Sequence, residues 1–272
     1  MVDHLKKMPP LGMCLPDETL RTTTVLHDAK ASGISYLEIR RPDTASLLEA
    51  EPSGEWFVTL KIAYDAAGDI LQTVNDTIAA GGLEAIDLLL IDDIGDATFP
   101  KHAAIQKTVM TMKDNGLIRS FGVSVNTYGQ LKDTLTKTSC DAVEVLFNVF
   151  FQETSQLFSF VKAKRMPLII KNPFDNGWLT GDITDRTDES ETKKRESLIK
   201  KMKDIVGTDD LVTRSMGFIR AFDGVTTVVV PIHAKKMLDT LKELNQDIIT
   251  YSQKNALIDL YNQQIKNQPF MK

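Results

Sequence analysis

Eight short apolar runs, rich in β-branched residues, recur along the chain at intervals of roughly 20 to 40 residues. They cover residues 11–14, 35–39, 56–62, 86–91, 120–125, 142–147, 168–170 and 226–231. Most of these runs are continuously apolar and do not alternate with polar residues. Strands that are covered on both faces have this pattern, which is typical of parallel sheets.

Segments with helical periodicity lie between the predicted strands, and most end near Gly or Asn, as helices commonly do. They cover residues 16–32, 69–80, 101–114, 127–136, 154–164, 189–205, 209–222 and 234–244. We expect a single helical turn within residues 41–55 and a last helix over 246–265. Strand and helix alternation implies right-handed βαβ units. Within 272 residues these units predict a closed (β/α)8 barrel.

The alternative fold is an open, doubly wound parallel sheet, but its characteristic phosphate-binding motifs are missing from the sequence. The chain contains no G-x-G-x-x-G motif and no G-x-x-x-x-G-K-[ST] motif. No change of composition marks a second domain. We therefore expect one barrel domain over residues 1–272, with a C-terminal helix and tail over 246–272.

Composition excludes several classes of partner. The net charge of −5 without a basic tract argues against nucleic acid and anionic membranes. No apolar run approaches the roughly 20 residues of a membrane span, and the first ten residues lack the apolar core of a secretory signal. Two cysteines, Cys14 and Cys140, are too few for a disulfide framework. We expect a cytoplasmic protein with a small-molecule substrate; the sequence does not indicate its oligomeric state.

Polar side chains follow most of the predicted strands, where a (β/α)8 barrel places its chemistry. They are Cys14, Glu38, Arg40, Lys61, Tyr64, Asp92, Asp93, Ser124, Asn126, Asn148, Lys171, Asn172 and His233. The acidic cluster at 92–96 has turn and helix-capping roles in such a loop, so we predict no metal site.

Six segments, in the order of the predicted strands, resemble motifs of the aldo/keto reductase family. They are MPPLGM (8–13), GISYLE (33–38), DLLLID (87–92), GLIRSFGVS (116–124), PFDNGWLTG (173–181) and GVTTVVVP (224–231). The resemblance spans nearly the whole chain and implies the same barrel fold. It also implies NAD(P)H-dependent reduction of aldehydes and ketones by an Asp, Tyr, Lys and His tetrad.

Position by position, the resemblance preserves little of this tetrad. Lys61 matches the lysine, and Glu38 replaces the aspartate. Asp43 falls near the proton-donating tyrosine, and Asp92 falls on the histidine. An ionised carboxylate only accepts hydrogen bonds, so it cannot replace a phenol that donates a proton. Asp92 would also place a negative charge beside the substrate oxygen, where negative charge develops during the reduction.

Three residues are candidates for binding the cofactor, two of them carried over by the resemblance. Ser124 and Asn148 match polar residues that the family has after strands five and six. Lys235 could contact a phosphate group. The glutamine on strand six is Glu144 here, and Val125 replaces an asparagine. With these changes no cofactor is favoured, although NADP is allowed.

Glu38, Lys61 and Asp92 should converge at neighbouring strand ends. A lysine flanked by carboxylates suits proton transfer at a carbon beside a carbonyl group. We therefore predict a lyase- or isomerase-like enzyme that performs dehydration, elimination or isomerisation of a small carbonyl metabolite without hydride. Tyr64 could supply a phenol. Lys171 could form a Schiff base if burial or a nearby cation lowers its pKa, or could simply reach solvent.

Three alternatives remain open at this point. The Glu38, Lys61 and Asp92 cluster could be a structural ion pair without catalysis. The chain could be an NAD(P)H-dependent aldehyde or ketone reductase that tolerates the altered tetrad. It could also be a non-catalytic barrel that binds a ligand or a partner.

Overall fold

A closed barrel of eight parallel strands, paired in chain order, forms the centre of the computed structural model. The structure describes residues 3–16, 18–50, 55–63, 70–92, 99–183, 188–233, 235–242 and 249–266. The strands are β1 Leu11–Cys14, β2 Tyr36–Ile39, β3 Phe57–Ala63, β4 Leu88–Asp92, β5 Phe121–Val125, β6 Ala142–Leu146, β7 Leu168–Lys171 and β8 Val225–Pro231. β1 pairs with β8 and closes the barrel, so the (β/α)8 prediction is confirmed.

Helices connect the strands and cover the outside of the barrel. Among the described residues they are α1 Thr23–Ala31, α2 Pro42–Glu49, α3 Ile70–Gly81, α4 Phe99–Asp114, α5 Tyr128–Lys137, α6 Phe158–Ala163, α7 Glu189–Val206, α8 Leu211–Arg220, α9 Lys235–Lys242 and α10 Tyr251–Gln264. Side-chain caps set several of the starts. Thr127 and Thr250 form capping boxes with the residues three positions on, which satisfies backbone N–H groups of the first turn.

Local signals account for the predicted helix bounds that were wrong. The first helix starts at Thr23, not at residue 16, because the Thr22 side chain caps it by accepting from the Val25 N–H. α2 is eight residues long, not a single turn, and it begins with Pro42, which favours the first helical position. The sixth helix is α-helical only over Phe158–Ala163, after a 3-10 turn at Glu153–Leu157.

Alternate residues of each strand face the helices and the barrel interior. On β3, Val58, Leu60 and Ile62 pack in the outer core against the helices. Phe57 packs inside the barrel, and Lys61, four residues further on, shares its face of the strand. Both faces are buried, which explains the continuous apolar runs in the sequence.

The N-terminal segment closes one end of the barrel. Leu5 and Met8 pack into the interior cluster with Tyr36 and Phe57. The His4 Nε2 lies 3.0 Å from the Asp87 carbonyl oxygen, just before β4 begins. The interior is therefore apolar at this end, and its polar side chains are near the opposite end, where the strands finish.

Among the described residues, none of the helices combines the length and apolar character that crossing a membrane requires.

Gly12 makes room for the buried Tyr36 ring inside the barrel. A Cβ at position 12 would lie 2.3 Å from Tyr36 Cδ1 and 2.8 Å from its Cγ. We predict that Gly12→Ala lowers the free energy of unfolding by about 1–3 kcal/mol, because the buried ring cannot move aside without strain. Urea unfolding followed by circular dichroism measures the change.

Gly129→Ala is the matched control. Gly129 is an exposed residue of α5, and the nearest atom to an added Cβ is 3.9 Å away. This control should be neutral or slightly stabilising, since alanine favours helix. Equal losses in both variants would contradict the account of interior packing.

Candidate active site

Lys61 crosses the centre of the barrel from β3 and ends among three carboxylates. Its Nζ donates to Glu144 Oε2 at 2.5 Å and lies 3.5 Å from Asp92 Oδ2 and 3.8 Å from Glu38 Oε1. The Lys61 and Glu38 side chains are 1% exposed, and Glu144 is completely buried. Burial opposes the charge of Lys61, but Glu144 and Glu38 outweigh it and raise the pKa of the lysine. Lys61 is therefore a fixed cation.

Glu38 and Glu144 form a carboxyl pair above this cation. The two groups are within hydrogen-bonding reach of each other. Burial raises the pKa of Glu38 to about 7, which Lys61 opposes and Glu144 reinforces. Burial acts in the same direction on Glu144, but Lys61 and Lys171 outweigh it and lower its pKa to about 2. Glu38 is thus the member that carries a proton near neutral pH, because Glu144 lies closer to the ammonium group.

Two buried atoms support this assignment of the proton. Glu38 Oε2 and Glu144 Oε1 have no hydrogen-bond donor among the described residues. Two ionised carboxyl groups this close to each other would repel. One proton held between the two carboxyl groups removes this repulsion.

A second ion pair lies beside the first. Lys171 Nζ donates to Asp92 Oδ1 at 2.9 Å and to Ser124 Oγ at 2.7 Å, and Ser124 Oγ donates to Asp92 Oδ1 at 2.6 Å. Burial raises the pKa of Asp92, but the charges of Lys61 and Lys171 outweigh it and lower the pKa overall. Asp92 therefore stays ionised and bridges the two lysines with its two oxygens.

A cavity of 530 Å³ opens above this network at the strand ends. Glu38 and Lys171 form part of its wall, together with Arg40, whose side chain is 57% exposed. Arg40 Nε donates to Glu38 Oε1 at 3.1 Å. Lys61 and Glu144 are not among the lining residues, so the cavity reaches the buried cluster through Glu38.

Cys14 also lines the cavity, beside Glu38 in the strand register. Burial raises the pKa of the Cys14 thiol to about 12, and Glu38 adds to the effect. The thiol is therefore protonated at neutral pH and is a poor nucleophile.

Asp43, which the resemblance places near the tyrosine of the tetrad, is half-exposed on α2. It pairs with Arg41 at 3.1 Å and with Arg21 at 3.5 Å. These arginines keep it engaged as an acceptor, and no proton donor stands at this position.

The loop after Lys171 is held in a strained shape. Asn172, Asp175 and Asn176 have φ values of 55°, 50° and 52°, in the left-handed region that Asn and Asp tolerate best. Asn172 accepts from Asn148 Nδ2 through its carbonyl oxygen and from the Asn176 N–H through Oδ1. The buried Asp175 forms an ion pair with Arg195 of α7. These contacts fix the end of β7 and therefore the base of Lys171.

The structure brings together four of the predicted catalytic residues, namely Glu38, Lys61, Asp92 and Lys171. Lys171 does not simply reach solvent, because its side chain is 15% exposed and paired with Asp92. Tyr64 lies outside the described residues, as does Asp93 with the rest of the acidic cluster after Asp92.

The predicted cofactor-binding residues are engaged with the protein itself. Ser124 is fully buried between Asp92 and Lys171. Asn148 is also fully buried; its Oδ1 accepts from the backbone N–H groups of Phe150 and Phe151, so it holds the turn after β6 and does not face the cavity. Lys235 begins α9, and its side chain lies outside the described structure.

The sequence prediction missed the role of Glu144 and Arg40 in the cluster. Glu144 shares the inward face of β6 with the interior residue Ala142, two positions earlier. A carboxylate on that face is unusual enough to have marked it as a partner for Lys61.

Comparison with known proteins identifies relatives of this barrel. The sequence profile of the Aldo/keto reductase family matches residues 45–248. No curated protein matches the chain. Among solved structures, the chain is similar to the glycerol dehydrogenase AKR11B4 from Gluconobacter oxydans, with 14% identity, a TM-score of 0.75, and coverage of 95% of this chain and 93% of that one.

The chain is also similar to the aldo-keto reductase AKR11C1 from Bacillus halodurans. The holo form has 16% identity and a TM-score of 0.72, with coverage of 92% of this chain and 91% of that one. The apo form has the same TM-score and coverage with 14% identity. Sequence identities of 14–16% support a shared fold and carry no argument about activity.

The carboxyl pair predicts a proton that titrates near neutral pH. Infrared difference spectra should show a protonated carboxyl band that disappears with a midpoint near the Glu38 pKa of about 7. The band should be absent from Glu38→Gln and present in the control Glu49→Gln, an exposed residue at the end of α2. A band lost only near pH 4 would contradict the shared proton.

The burial of Lys61 predicts a large effect on stability. Lys61→Met should lower the free energy of unfolding by roughly 3–5 kcal/mol, because Glu144 would lose its buried cation. The double variant Lys61→Met/Glu144→Gln should recover part of this loss. Lys137→Met removes an exposed lysine that pairs with Asp133 and should change stability by less than about 1 kcal/mol. Chemical unfolding curves compare the three variants; a small effect of Lys61→Met would refute the buried pair.

Proposed function

Because the chain belongs to the aldo/keto reductase family, we propose that it is an enzyme acting on a small carbonyl compound, with Glu38 as the group that moves the proton. The reaction is a proton transfer at the carbon beside the carbonyl group, as in isomerisation, dehydration or elimination. NAD(P)H-dependent reduction by hydride transfer is the second candidate. The single observation that carries the proposal is the position of Glu38, in the wall of the cavity and beside Glu144.

The carboxyl pair gives Glu38 the property that acid/base catalysis requires. A catalytic acid or base works best when its pKa is near the working pH, and burial raises the pKa of Glu38 to about 7. Glu144 and Lys61 lie behind Glu38, away from the cavity. Lys61 lies 3.8 Å from Glu38 and favours its carboxylate form when the proton leaves, whereas Glu144 favours the return of the proton.

Arg40 supplies the complementary charge. Its guanidinium is more than half exposed in the cavity while its Nε holds Glu38. An arginine at this place can stabilise negative charge that develops on a carbonyl oxygen or on a carboxylate of the substrate.

The side chains that the resemblance places on the cofactor side of the site are already engaged within the protein. The Ser124 hydroxyl is held by Asp92 and Lys171, and Glu144 is held by Lys61 and Glu38. Both side chains are fully buried. The residues present at these positions therefore do not fit the cofactor.

Solvent deuterium exchange tests the proposal directly. Small aldehydes, ketones and 2-oxo acids are incubated with the protein in D₂O, and loss of the proton beside the carbonyl is followed by NMR. We expect catalysed exchange for at least one compound, and a loss of about 10²-fold or more in Glu38→Gln. Glu49→Gln should exchange at the wild-type rate. Exchange that is unchanged in Glu38→Gln would overturn the role of Glu38.

NAD(P)H-dependent reduction is the second candidate, and family membership is the observation that favours it. A relative of the same fold has a structure described as a holo form. In this case Glu38 would replace the tyrosine as the proton donor. Thermal shift and fluorescence titration with NADPH and NADH test it; saturable binding with carbonyl-dependent oxidation of the cofactor would favour reduction over the first candidate, and no binding at millimolar cofactor would exclude it.

A further inference from the structure

Lys171 stands in the cavity wall in a position suited to covalent chemistry. It is the last residue of β7, and Ile169, two positions earlier, packs in the barrel interior. The Lys171 side chain is 15% exposed and lines the same cavity as Glu38. A compound in the cavity can therefore reach the amine, while bulk water has limited access to it.

The surroundings of Lys171 contain a second ammonium group. Asp92 binds Lys171 through Oδ1 and faces Lys61 through Oδ2. Burial and the charge of Lys61 lower the pKa of Lys171, although Glu144 and Asp92 act in the opposite direction. A lysine is nucleophilic only as the neutral amine, and burial with a neighbouring cation is a recognised way to favour that form.

We propose that Lys171 forms an imine with a small carbonyl substrate, and that this imine takes the place of hydride chemistry in the barrel. The inference rests on the proposed function, since it requires the same cavity and the same acid/base group. The substrate would be an unhindered aldehyde or 2-oxo acid that fits a cavity of 530 Å³.

The atoms and electrons of this step balance with the groups present. The neutral Nζ of Lys171 adds to the carbonyl carbon, the π pair moves to the oxygen, and proton transfer from nitrogen gives a neutral carbinolamine. The carboxyl of Glu38 donates a proton to the hydroxyl group, which leaves as water while the nitrogen lone pair forms a protonated C=N bond. Glu38, now a carboxylate, removes a proton from the adjacent carbon, and the C–H electrons form an enamine. Reprotonation and hydrolysis return Lys171.

Asp92 and Ser124 act as positioning residues in this scheme. They hold Nζ by hydrogen bonds of 2.9 and 2.7 Å, and the strained loop that begins at Asn172 holds the strand end. Asp92 remains beside the nitrogen and stabilises the positive charge of the protonated imine.

Borohydride trapping tests the imine without knowledge of the natural substrate. The full chain is incubated with pyruvate or with propionaldehyde, reduced with sodium borohydride, and analysed by intact mass and peptide mapping. We expect one reduced adduct per chain with at least one probe, located on Lys171. Label absent with both probes, or distributed over exposed lysines without enrichment at Lys171, would overturn the proposal.

Lys171→Arg is the decisive variant because arginine retains the charge that pairs with Asp92 but forms no such imine. Trapping should fall by about tenfold or more in this variant. The matched control Lys137→Arg, on the exposed face of α5, should trap as the wild type does. Equal stability of the two variants in urea shows that the fold is retained, and persistent trapping in Lys171→Arg would contradict the imine.

Failure of the imine and failure of the proposed function give different results. Glu38-dependent deuterium exchange that survives in Lys171→Arg, without trapping, overturns the imine and leaves the proposed function standing. Trapping on Lys171 without Glu38-dependent exchange supports imine formation at Lys171 and contradicts the role of Glu38 in both proposals.

Discussion

The ammonium group of Lys61 lies inside the barrel, and the rest of the candidate site depends on how its charge is compensated. An isolated charge in a protein interior is very costly, so buried charges are paired. Glu144 on β6 supplies the close partner at 2.5 Å, across the barrel from β3. Because Lys61 cannot lose this partner without a large penalty, the pair sets the electrostatics of each neighbouring group.

Charge balance then assigns the remaining roles. Lys61 pairs with Glu144, and Lys171 pairs with Asp92. Glu38 lies 3.8 Å from Lys61, and Arg40 Nε donates to it at 3.1 Å, so both cations favour its carboxylate form. Burial is the larger influence, and with the charge of Glu144 it raises the pKa of Glu38 to about 7. Glu38 therefore holds its proton up to near neutral pH, and it is also the member of the carboxyl pair that lines the cavity. The structural ion pair and the reactive group are thus two parts of one cluster.

Much of the fold could be predicted from the sequence, because eight continuous apolar runs can alternate with helices in few ways. The convergence of Glu38, Lys61 and Asp92 also followed from their positions at neighbouring strand ends. Glu144 was harder to recognise, because its contact with Lys61 joins residues 83 positions apart across the barrel and depends on side-chain length. The burial of Asn148 was also missed. Its side chain accepts hydrogen bonds from the backbone of the turn after β6, and the sequence does not show the path of that backbone.

We infer that Glu38 and Glu144 share one proton beside Lys61. Neutron diffraction from deuterium-exchanged crystals near pH 6 tests it most directly, because it locates deuterium on individual oxygens. We expect one deuteron between the two carboxyl groups and three on Lys61 Nζ. Two bare carboxylates, or a neutral amine at Lys61, would contradict it.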